Sequence, residues 1–434
     1  MDRLEIGFVG IVITLVLIGL RVPIGVAMGA VAIAGIYSML GLMPAIGIAK
    51  AIPYEMIGDW NLSAVPMFLL MGYIASGAGL TSGLFAAARV FLNRVPGGLA
   101  SASVASSALF ASASGSSVAT AAAFSRIAIP EMLKAGYAPS LAAGSVAAAG
   151  TLGSLIPPSV LLIVFGLMMD VSISTLFVAG LLPGLLSGAM FIALITIRAI
   201  LNPSLAPKHE EHYSLSEKLA LIRDVWPLPV LIAGVLGGIF TGVFTATEAG
   251  AIGAFLAAVI AATRRKLSGK VLGTALIDTA LSTSAIFIIV VGAALFARFV
   301  ALSTVPVWVT GHFEGYSALT VILLIGALYL VLGCFLESIS IMLLTLPVLA
   351  PLLSHLGIDL IWFGILTVKL LEIGLVTPPV GMNVYVIRSS LGDTIPLGRI
   401  FAGVSWFIMA DVITLALLIA FPAISLWLPA FMAN

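Results

Sequence analysis

Two pairs of adjacent prolines, Pro157–Pro158 and Pro378–Pro379, lie inside long apolar stretches of the sequence. A proline donates no backbone N–H, so each pair breaks a helix and leaves carbonyl oxygens without intrahelical partners. Carbonyl and hydroxyl oxygens suit a hard cation such as Na⁺, and membrane proteins use unwound backbone in this way. Each break is therefore a candidate cation site.

Two hydroxyl-rich segments, SASGSS at 112–117 and ESIS at 337–340, interrupt two other apolar stretches near their middles. We interpret the stretches, 98–132 and 317–353, as re-entrant helical hairpins with these segments at their tips. A backbone that breaks at membrane depth is tolerated where it is buried in protein or lines a wet cavity. The helix N-termini at such tips favour an anion, so the tips predict an anion site beside the cation sites.

The composition determines the class of protein that carries these features. Of 434 residues, 61% are hydrophobic and 9% are charged, and the mean hydropathy is +1.25. Soluble domains carry about 25% charged residues. Since uncharged runs recur at the roughly 20 residues that a spanning helix needs, the chain is predicted to be an all-α polytopic membrane protein in a lipid bilayer. A net charge of +1 predicts no nucleic-acid partner, and one cysteine excludes an internal disulfide.

The hydropathy pattern predicts ten full spans besides the two hairpins. Their centres are Val12, Ala30, Leu70, Thr151, Ala189, Ala233, Gly253, Ile289, Leu371 and Leu415. Cytoplasmic segments carry an excess of Lys and Arg; this places the N-terminus outside and the cluster Arg264–Lys266 inside. Segment 201–224, which contains Lys208, His209 and His212, is then a cytoplasmic connector with a short surface helix and a solvated loop.

The chain also resembles itself at an offset of 221 residues. The matched pairs are Ser117/Ser338, Pro130/Pro351, Gly136/Gly357, Gly153/Gly374, Pro157/Pro378 and Pro158/Pro379. The halves are 1–200, with a broken helix at about 140–169, and 225–434, with a broken helix at about 359–390. Each half has five spans and one hairpin, so an odd number of crossings inverts the second half. Such inverted-topology repeats suit alternating access to a central site.

These patterns predict two sodium sites and a set of substrate contacts. The first sodium site comprises Ser114, Ser116, Ser117, Gly153, Ile156 and Pro157, and the second Glu337, Ser338, Gly374, Thr377, Pro378 and Asn383. The candidate substrate contacts are Ser154, Thr247, Arg298 and Ser340. Charges inside a membrane are functional candidates. However, Arg298 could instead reach the outer interface, and Lys369 could form a helix-surface pair with Glu372.

Six motifs resemble those of one family, the large membrane subunit of tripartite ATP-independent periplasmic (TRAP) transporters. They are SGSSVA (114–119), IPEMLKAGY (129–137), GSLIPPS (153–159), TEAG (247–250), GCFLE (333–337) and GLVTPPVGMN (374–383). The sequence departs from the family pattern at Thr120 and Glu337, where an aspartate is common. The departure at Thr120 puts in doubt any role for a carboxylate at that point.

The resemblance implies an elevator-type transporter of the bacterial inner membrane. It would couple Na⁺ to the uptake of an organic acid, typically a carboxylate, without an organic cofactor. A soluble periplasmic binding protein would deliver the acid, and a small four-helix membrane subunit, expected as a separate polypeptide, would associate with this chain.

Two other functions are weighed against this one. A stand-alone divalent-anion/Na⁺ symporter of the same two-hairpin architecture would need no binding protein. The residues of the six motifs favour the TRAP subunit over this alternative. A serine hydrolase using the segment 113–117 would need an activating base, but no histidine lies in the predicted membrane core near that tip. The sequence also has no G-x-x-x-x-G-K-[ST] loop for a nucleotide. The chain is therefore predicted not to be an enzyme.

Overall fold

The fold of a computed structural model is described for residues 2–81, 83–207 and 214–432. Within these ranges the chain is helical and contains no β-strand. The first ten helices are α1 (Arg3–Gly19), α2 (Ile24–Leu40), α3 (Leu42–Ile57), α4 (Ala64–Gly77), α5 (Leu84–Leu92), α6 (Gly98–Ser114), α7 (Ser117–Lys134), α8 (Pro139–Leu155), α9 (Val160–Met169) and α10 (Ile173–Leu201).

The remaining helices follow the connector. They are α11 (Leu215–Val225), α12 (Pro227–Phe240), α13 (Ala246–Thr263), α14 (Gly269–Leu302), α15 (Val305–His312), α16 (Ala318–Gly333), α17 (Ser338–His355), α18 (Leu360–Val376), α19 (Met382–Leu391), α20 (Leu397–Ala420) and α21 (Ala423–Met432). The order of α6–α9 thus recurs in α16–α19: two helices joined at a short break, then a helix interrupted at a proline pair.

Both predicted hairpins fold back on themselves. In the first, α6 and α7, the rings of Phe110 and Phe124 pack edge to face with centroids 5.6 Å apart. In the second, α16 and α17, the hydroxyls of Tyr329 and Thr345 are 2.7 Å apart. In straight helices these pairs would be about 21 and 24 Å apart, at 1.5 Å per residue. The chain therefore reverses at tip 1 (Ser114–Ser117) and at tip 2 (Cys334–Glu337).

The helices form two packed groups. One, which we call the frame, contains α1–α4 and α12–α14. The other, the hairpin body, contains α6–α10 and α16–α21. Gly25 and Gly292, which lack side chains, let α2 and α14 meet backbone to backbone, a close approach common between membrane helices. A Cβ added to Gly292 would lie 2.7 Å from Cα of Gly25 and closer still to its carbonyl oxygen.

The hairpin body is cross-connected between the two halves of the sequence. Helix α7 of the first hairpin packs on α19 of the second broken helix, and α17 of the second hairpin packs on α9 of the first. The centre of the body is α8, whose residues from Leu141 to Leu155 are all buried. Each tip is thereby placed beside residues from both halves.

The number of spans differs from the ten that were predicted. Six helices in the described part of the chain are long and apolar enough to cross a membrane, or seven if the bent pair at 216–225 and 227–240 is one span. The predicted centres Val12, Ala30, Leu70 and Leu371 lie in helices of 17, 17, 14 and 17 residues. At 1.5 Å per residue, 17 residues reach about 26 Å, less than the roughly 30 Å of hydrocarbon. The sequence also did not predict α3 as a separate helix.

The predicted surface helix of the connector is α11. Ser214 begins it with a capping box, in which its Oγ accepts from the Glu217 backbone N–H and its own N–H donates to the Glu217 carboxylate. These Ser214 hydrogen bonds hold the pKa of Glu217 below its usual value. Lys208, His209 and His212 lie outside the described residues. The division into halves at 1–200 and 225–434 stays a prediction.

Candidate functional site

A cavity of about 320 Å³ lies where both hairpin tips face the frame. Its size falls in the range of small-molecule sites. The polar residues that line it are Tyr73 of α4, Ser116 and Ser117 of tip 1 and α7, Ser154 of α8, Ser282 of α14, and Glu337 and Ser338 of tip 2 and α17. The two tips, far apart in sequence, thus share one cavity.

Tip 1 is held against the first break by backbone contact. Gly115 turns the chain with a positive φ of 61°, and Ser116 caps α7 by accepting a hydrogen bond from the Ala119 backbone N–H at 3.3 Å. Gly153 lets α8 approach this turn, because a Cβ there would lie 3.1 Å from the Ser116 carbonyl oxygen. The Ser117 hydroxyl donates to the Gly150 carbonyl at 3.1 Å. Ser116, Ser117 and Gly153, three of the residues predicted for the first sodium site, therefore lie together.

The remaining residues of that site lie close by. Ser114 ends α6, and its hydroxyl is 3.0 Å from that of Thr120, so a pair of hydroxyls lies at this point of the tip. Ile156 and Pro157 are buried at the end of α8. The Pro157–Pro158 and Pro378–Pro379 peptide bonds are both cis.

Tip 2 is a longer break, from Cys334 to Glu337, and its cap is charged. Glu337 caps α17, and its Oε2 accepts from the backbone N–H of Ser340 at 3.4 Å and from its hydroxyl at 3.1 Å. A Cβ on Gly374 would lie 2.7 Å from Cα of Gly333, so α18 meets the end of α16 closely. Thr377 donates its hydroxyl to the Ile373 carbonyl at 2.6 Å, and Pro378 is exposed.

Asn383 was predicted for the second sodium site, and its side chain lies beside Ser117, a residue predicted for the first. Because α19 packs on α7, the Asn383 Nδ2 is 3.5 Å from the Ser117 hydroxyl and 3.4 Å from the Ala147 carbonyl. The residue is fully buried, and its Oδ1 has no hydrogen-bond partner among the described residues. A buried, unpartnered oxygen of this kind fits a hard cation.

The four predicted substrate contacts divide into two pairs. Ser154 lines the cavity, and Ser340 is buried behind it, where it donates to Glu337. Arg298 is exposed on α14, and Thr247 is buried on α13 inside the frame. Neither of these two is among the residues that line the cavity.

Sequence reasoning missed the Tyr73–Ser282 pair, and it missed the Ser187 and Asp411 partners of Lys369. Tyr73 and Ser282 contribute a pair of hydroxyls 2.7 Å apart to the frame side of the cavity, and their sequence context contains no motif. Lys369 does not lie on a helix surface, because its Nζ donates to Asp411 at 2.6 Å, to Glu372 at 3.4 Å and to Ser187 at 3.0 Å. All three charged side chains are fully buried. The signal for Asp411 was that it is the one charged residue between positions 400 and 420.

The comparison with protein families identifies this architecture. Residues 11–424 match the model of the tripartite ATP-independent periplasmic transporter, DctM component. The chain belongs to this family. It is therefore a multi-pass TRAP large permease subunit, a component of a transporter and not an enzyme.

Relatives with different substrates match most of the chain. It is 35% identical to the C4-dicarboxylate TRAP transporter large permease protein DctM of Pseudomonas aeruginosa, over 87% of this chain and 88% of that one. It is also 35% identical to the sialic acid TRAP transporter large permease protein SiaM of Vibrio cholerae, over 86% and 87% of the two chains. These two relatives belong to the same family and are equally similar to this chain, but their substrates differ.

A solved structure supports the fold alone. The Alcanivorax borkumensis YdaH transporter is similar with a TM-score of 0.59 at 15% identity, over 88% of this chain and 90% of that one.

Proposed function

We propose that this TRAP subunit takes up an organic acid across the bacterial inner membrane, driven by the co-transport of Na⁺ down its gradient. The observation that carries the proposal is the shared cavity, because both hairpin tips and the end of α8 meet there against the frame. A site between two packed groups of helices can be opened to either side if one group moves against the other.

The first sodium site would be formed by the hydroxyls of tip 1, the carbonyls at the end of α8 and the Asn383 oxygen. The second would be formed by the backbone carbonyls of tip 2 together with the carbonyls and hydroxyl between Gly374 and Thr377. Closure of the tips on the ions would align the first N–H groups of α7 toward the cavity. The positive charge of the ions would then favour a carboxylate beside Ser116 and Ser117.

The movement we propose is an elevator-type shift of the hairpin body against the frame. Two features of the packing support it: the broken helices and hairpins are all in one group, and the frame contributes Tyr73 and Ser282 to the opposite wall of the cavity. The recurring order of α6–α9 and α16–α19 supports an inverted repeat. A periplasmic binding protein would deliver the acid, and a small membrane subunit would complete the complex.

The experiment is uptake by proteoliposomes that contain this chain, its small membrane subunit and the cognate binding protein. We expect uptake to require an inward Na⁺ gradient. The double variant Ser116→Ala/Ser117→Ala should raise the half-saturating Na⁺ concentration by about tenfold, equivalent to about 1.4 kcal/mol.

The matched control is Ser101→Ala/Ser107→Ala, since these hydroxyls are buried in the same hairpin away from its tip. It should leave the Na⁺ dependence unchanged. Uptake that proceeds equally without a Na⁺ gradient would refute the coupling. Uptake at full rate without the binding protein would instead favour the stand-alone symporter.

A further inference from the structure

The lining of the cavity contains an acidic side chain but no basic one. Among the described residues that line it, Glu337 is charged, and no lysine or arginine is present. The candidate Arg298 is exposed on α14. An acid in this cavity would therefore meet helix termini, hydroxyls and co-transported ions rather than a cationic side chain. The two tips determine where its carboxylate can lie.

Tip 1 is the end of the cavity that suits an anion. The cap of α7 is the neutral hydroxyl of Ser116, and the first N–H groups of an α-helix have no intrahelical partners. The end of a helix of 18 residues carries a partial positive charge. Ser117 and Ser154 add hydroxyls to the same part of the cavity.

Tip 2 is unsuited to a second anion, because its own carboxylate already caps the helix. Glu337 accepts both the backbone and side-chain hydrogen bonds of Ser340 at the start of α17. Beside it, Ser338 lines the cavity and is 4% exposed, and its hydroxyl has no hydrogen-bond partner among the described residues. A buried polar group without a partner is costly. Glu337 and Ser338 together therefore match a ligand group that donates hydrogen bonds.

We propose that the substrate is a monocarboxylate that bears a hydrogen-bond donor, a hydroxyl or an ammonium group, at its other end. This inference follows from the difference between the two tips and rests on the proposed function. The carboxylate of the substrate lies at Ser116 and Ser117, and its donor lies at Glu337 and Ser338. With two sodium ions present, Glu337 leaves one positive charge, which one carboxylate balances. A dicarboxylate would add a negative charge next to Glu337 in a medium of low dielectric constant, where like charges repel strongly.

The test is ligand-induced thermal stabilisation of the purified membrane complex in Na⁺, with two pairs of six-carbon probes, gluconate with glucarate and 6-aminohexanoate with hexanoate, in which the members of a pair differ at one end. Gluconate carries one carboxylate and hydroxyls, glucarate replaces its terminal hydroxymethyl with a second carboxylate, hexanoate lacks donors, and 6-aminohexanoate carries an ammonium. We expect half-stabilising concentrations at least tenfold lower for gluconate or 6-aminohexanoate than for glucarate and hexanoate. The comparison of gluconate with 6-aminohexanoate distinguishes the two donors.

The variants test the role of tip 2. Glu337→Gln should reduce the preference for the donor probe over glucarate to about threefold or less, and Glu337→Asp should retain most of it. Ser338→Ala should weaken the donor probe without weakening glucarate. Glu314→Gln, an exposed acid after α15, is the matched control and should change neither value.

The outcomes separate this inference from the proposed function. If glucarate stabilises the wild-type complex as well as the donor probes do, or if Glu337→Gln weakens every probe alike, the donor site is refuted while acid binding stands. If no acid stabilises the complex in Na⁺, the proposed function itself fails.

Discussion

The two hairpin-and-break regions have the same order of helices but differ in charge and exposure. At the first break, residues 156–159 are all buried, and the cap at tip 1 is a serine. At the second break, residues 378–380 are exposed, and the cap at tip 2 is a glutamate. The first region therefore resembles a closed, neutral site, and the second an open, charged one.

The difference extends to what holds each broken helix in place. Helix α8, the first arm of the first broken helix, contains no charged residue. It packs closely on tip 1 and α7 at Gly150 and Gly153, which have no side chain. Helix α18, the corresponding arm in the second half, carries Lys369 and Glu372, and the pair joins it to Asp411 of α20. The same architecture can thus be fixed by close backbone contact or by buried ion pairs, and each has a different weakness.

The largest effect is expected from breaking the ion pairs. Lys369→Met leaves Glu372 and Asp411 buried without a cation, and we expect a loss of about 3–5 kcal/mol of stability. The measurement is the thermal unfolding midpoint of the purified complex in detergent. The neutral triple variant Lys369→Met/Glu372→Gln/Asp411→Asn should recover most of that loss, because it removes the uncompensated charges.

If Lys369→Met is as stable as the wild type, the buried triad contributes nothing to the integrity of the second region. If the triple variant stays as unstable as the single one, the loss arises from packing rather than from charge. Either result would remove the contrast between a charged and a neutral broken helix.

The parts of this architecture that the sequence predicted are local ones. Proline pairs and serine-glycine tips act on neighbouring residues, and the structure has helix ends at both tips and at both proline pairs. The same proximity in sequence suggested that Lys369 and Glu372 pair, and they do.

The parts that the sequence did not predict depend on which distant helices meet. Asn383 was assigned to its neighbouring break, whereas the packing of α19 on α7 carries it to tip 1. Arg298 lies on a helix of 34 residues, and hydropathy alone could not tell which of its faces meets the cavity. Asp411 could be flagged as a buried acid, but its partner 42 residues away could not be named.

A smaller effect is expected from adding a methyl group where the arms meet other helices. Gly374→Ala places a Cβ 2.7 Å from the Gly333 backbone, and overpacking of this kind costs about 1–3 kcal/mol. Gly153→Ala meets the Ser116 carbonyl at 3.1 Å and should cost less. Gly326→Ala is the control, because it meets only the Leu370 side chain at 3.4 Å. We expect the thermal unfolding midpoint to fall most in Gly374→Ala, less in Gly153→Ala and least in Gly326→Ala.

The inverse order, with Gly153→Ala the more damaging, would show that the first region depends more on close backbone contact than the second. A stabilised Gly374→Ala variant would show that α16 and α18 can separate without loss. In the second case, close contact between α16 and α18 would not contribute to the stability of the second region.

The smallest effect is expected at Asn383, and it concerns ion affinity rather than stability. Removing its unpartnered Oδ1 with Asn383→Ala should raise the half-saturating Na⁺ concentration for uptake by about tenfold, or about 1.4 kcal/mol, with little change in unfolding temperature. Ser425→Ala is the control, since its hydroxyl is also buried and unpartnered but lies on α21. An unchanged Na⁺ dependence in Asn383→Ala would mean that tip 1 binds its cation with first-half residues alone. A raised value would show that the neutral site, although assembled around the first break, is completed by a residue from the second.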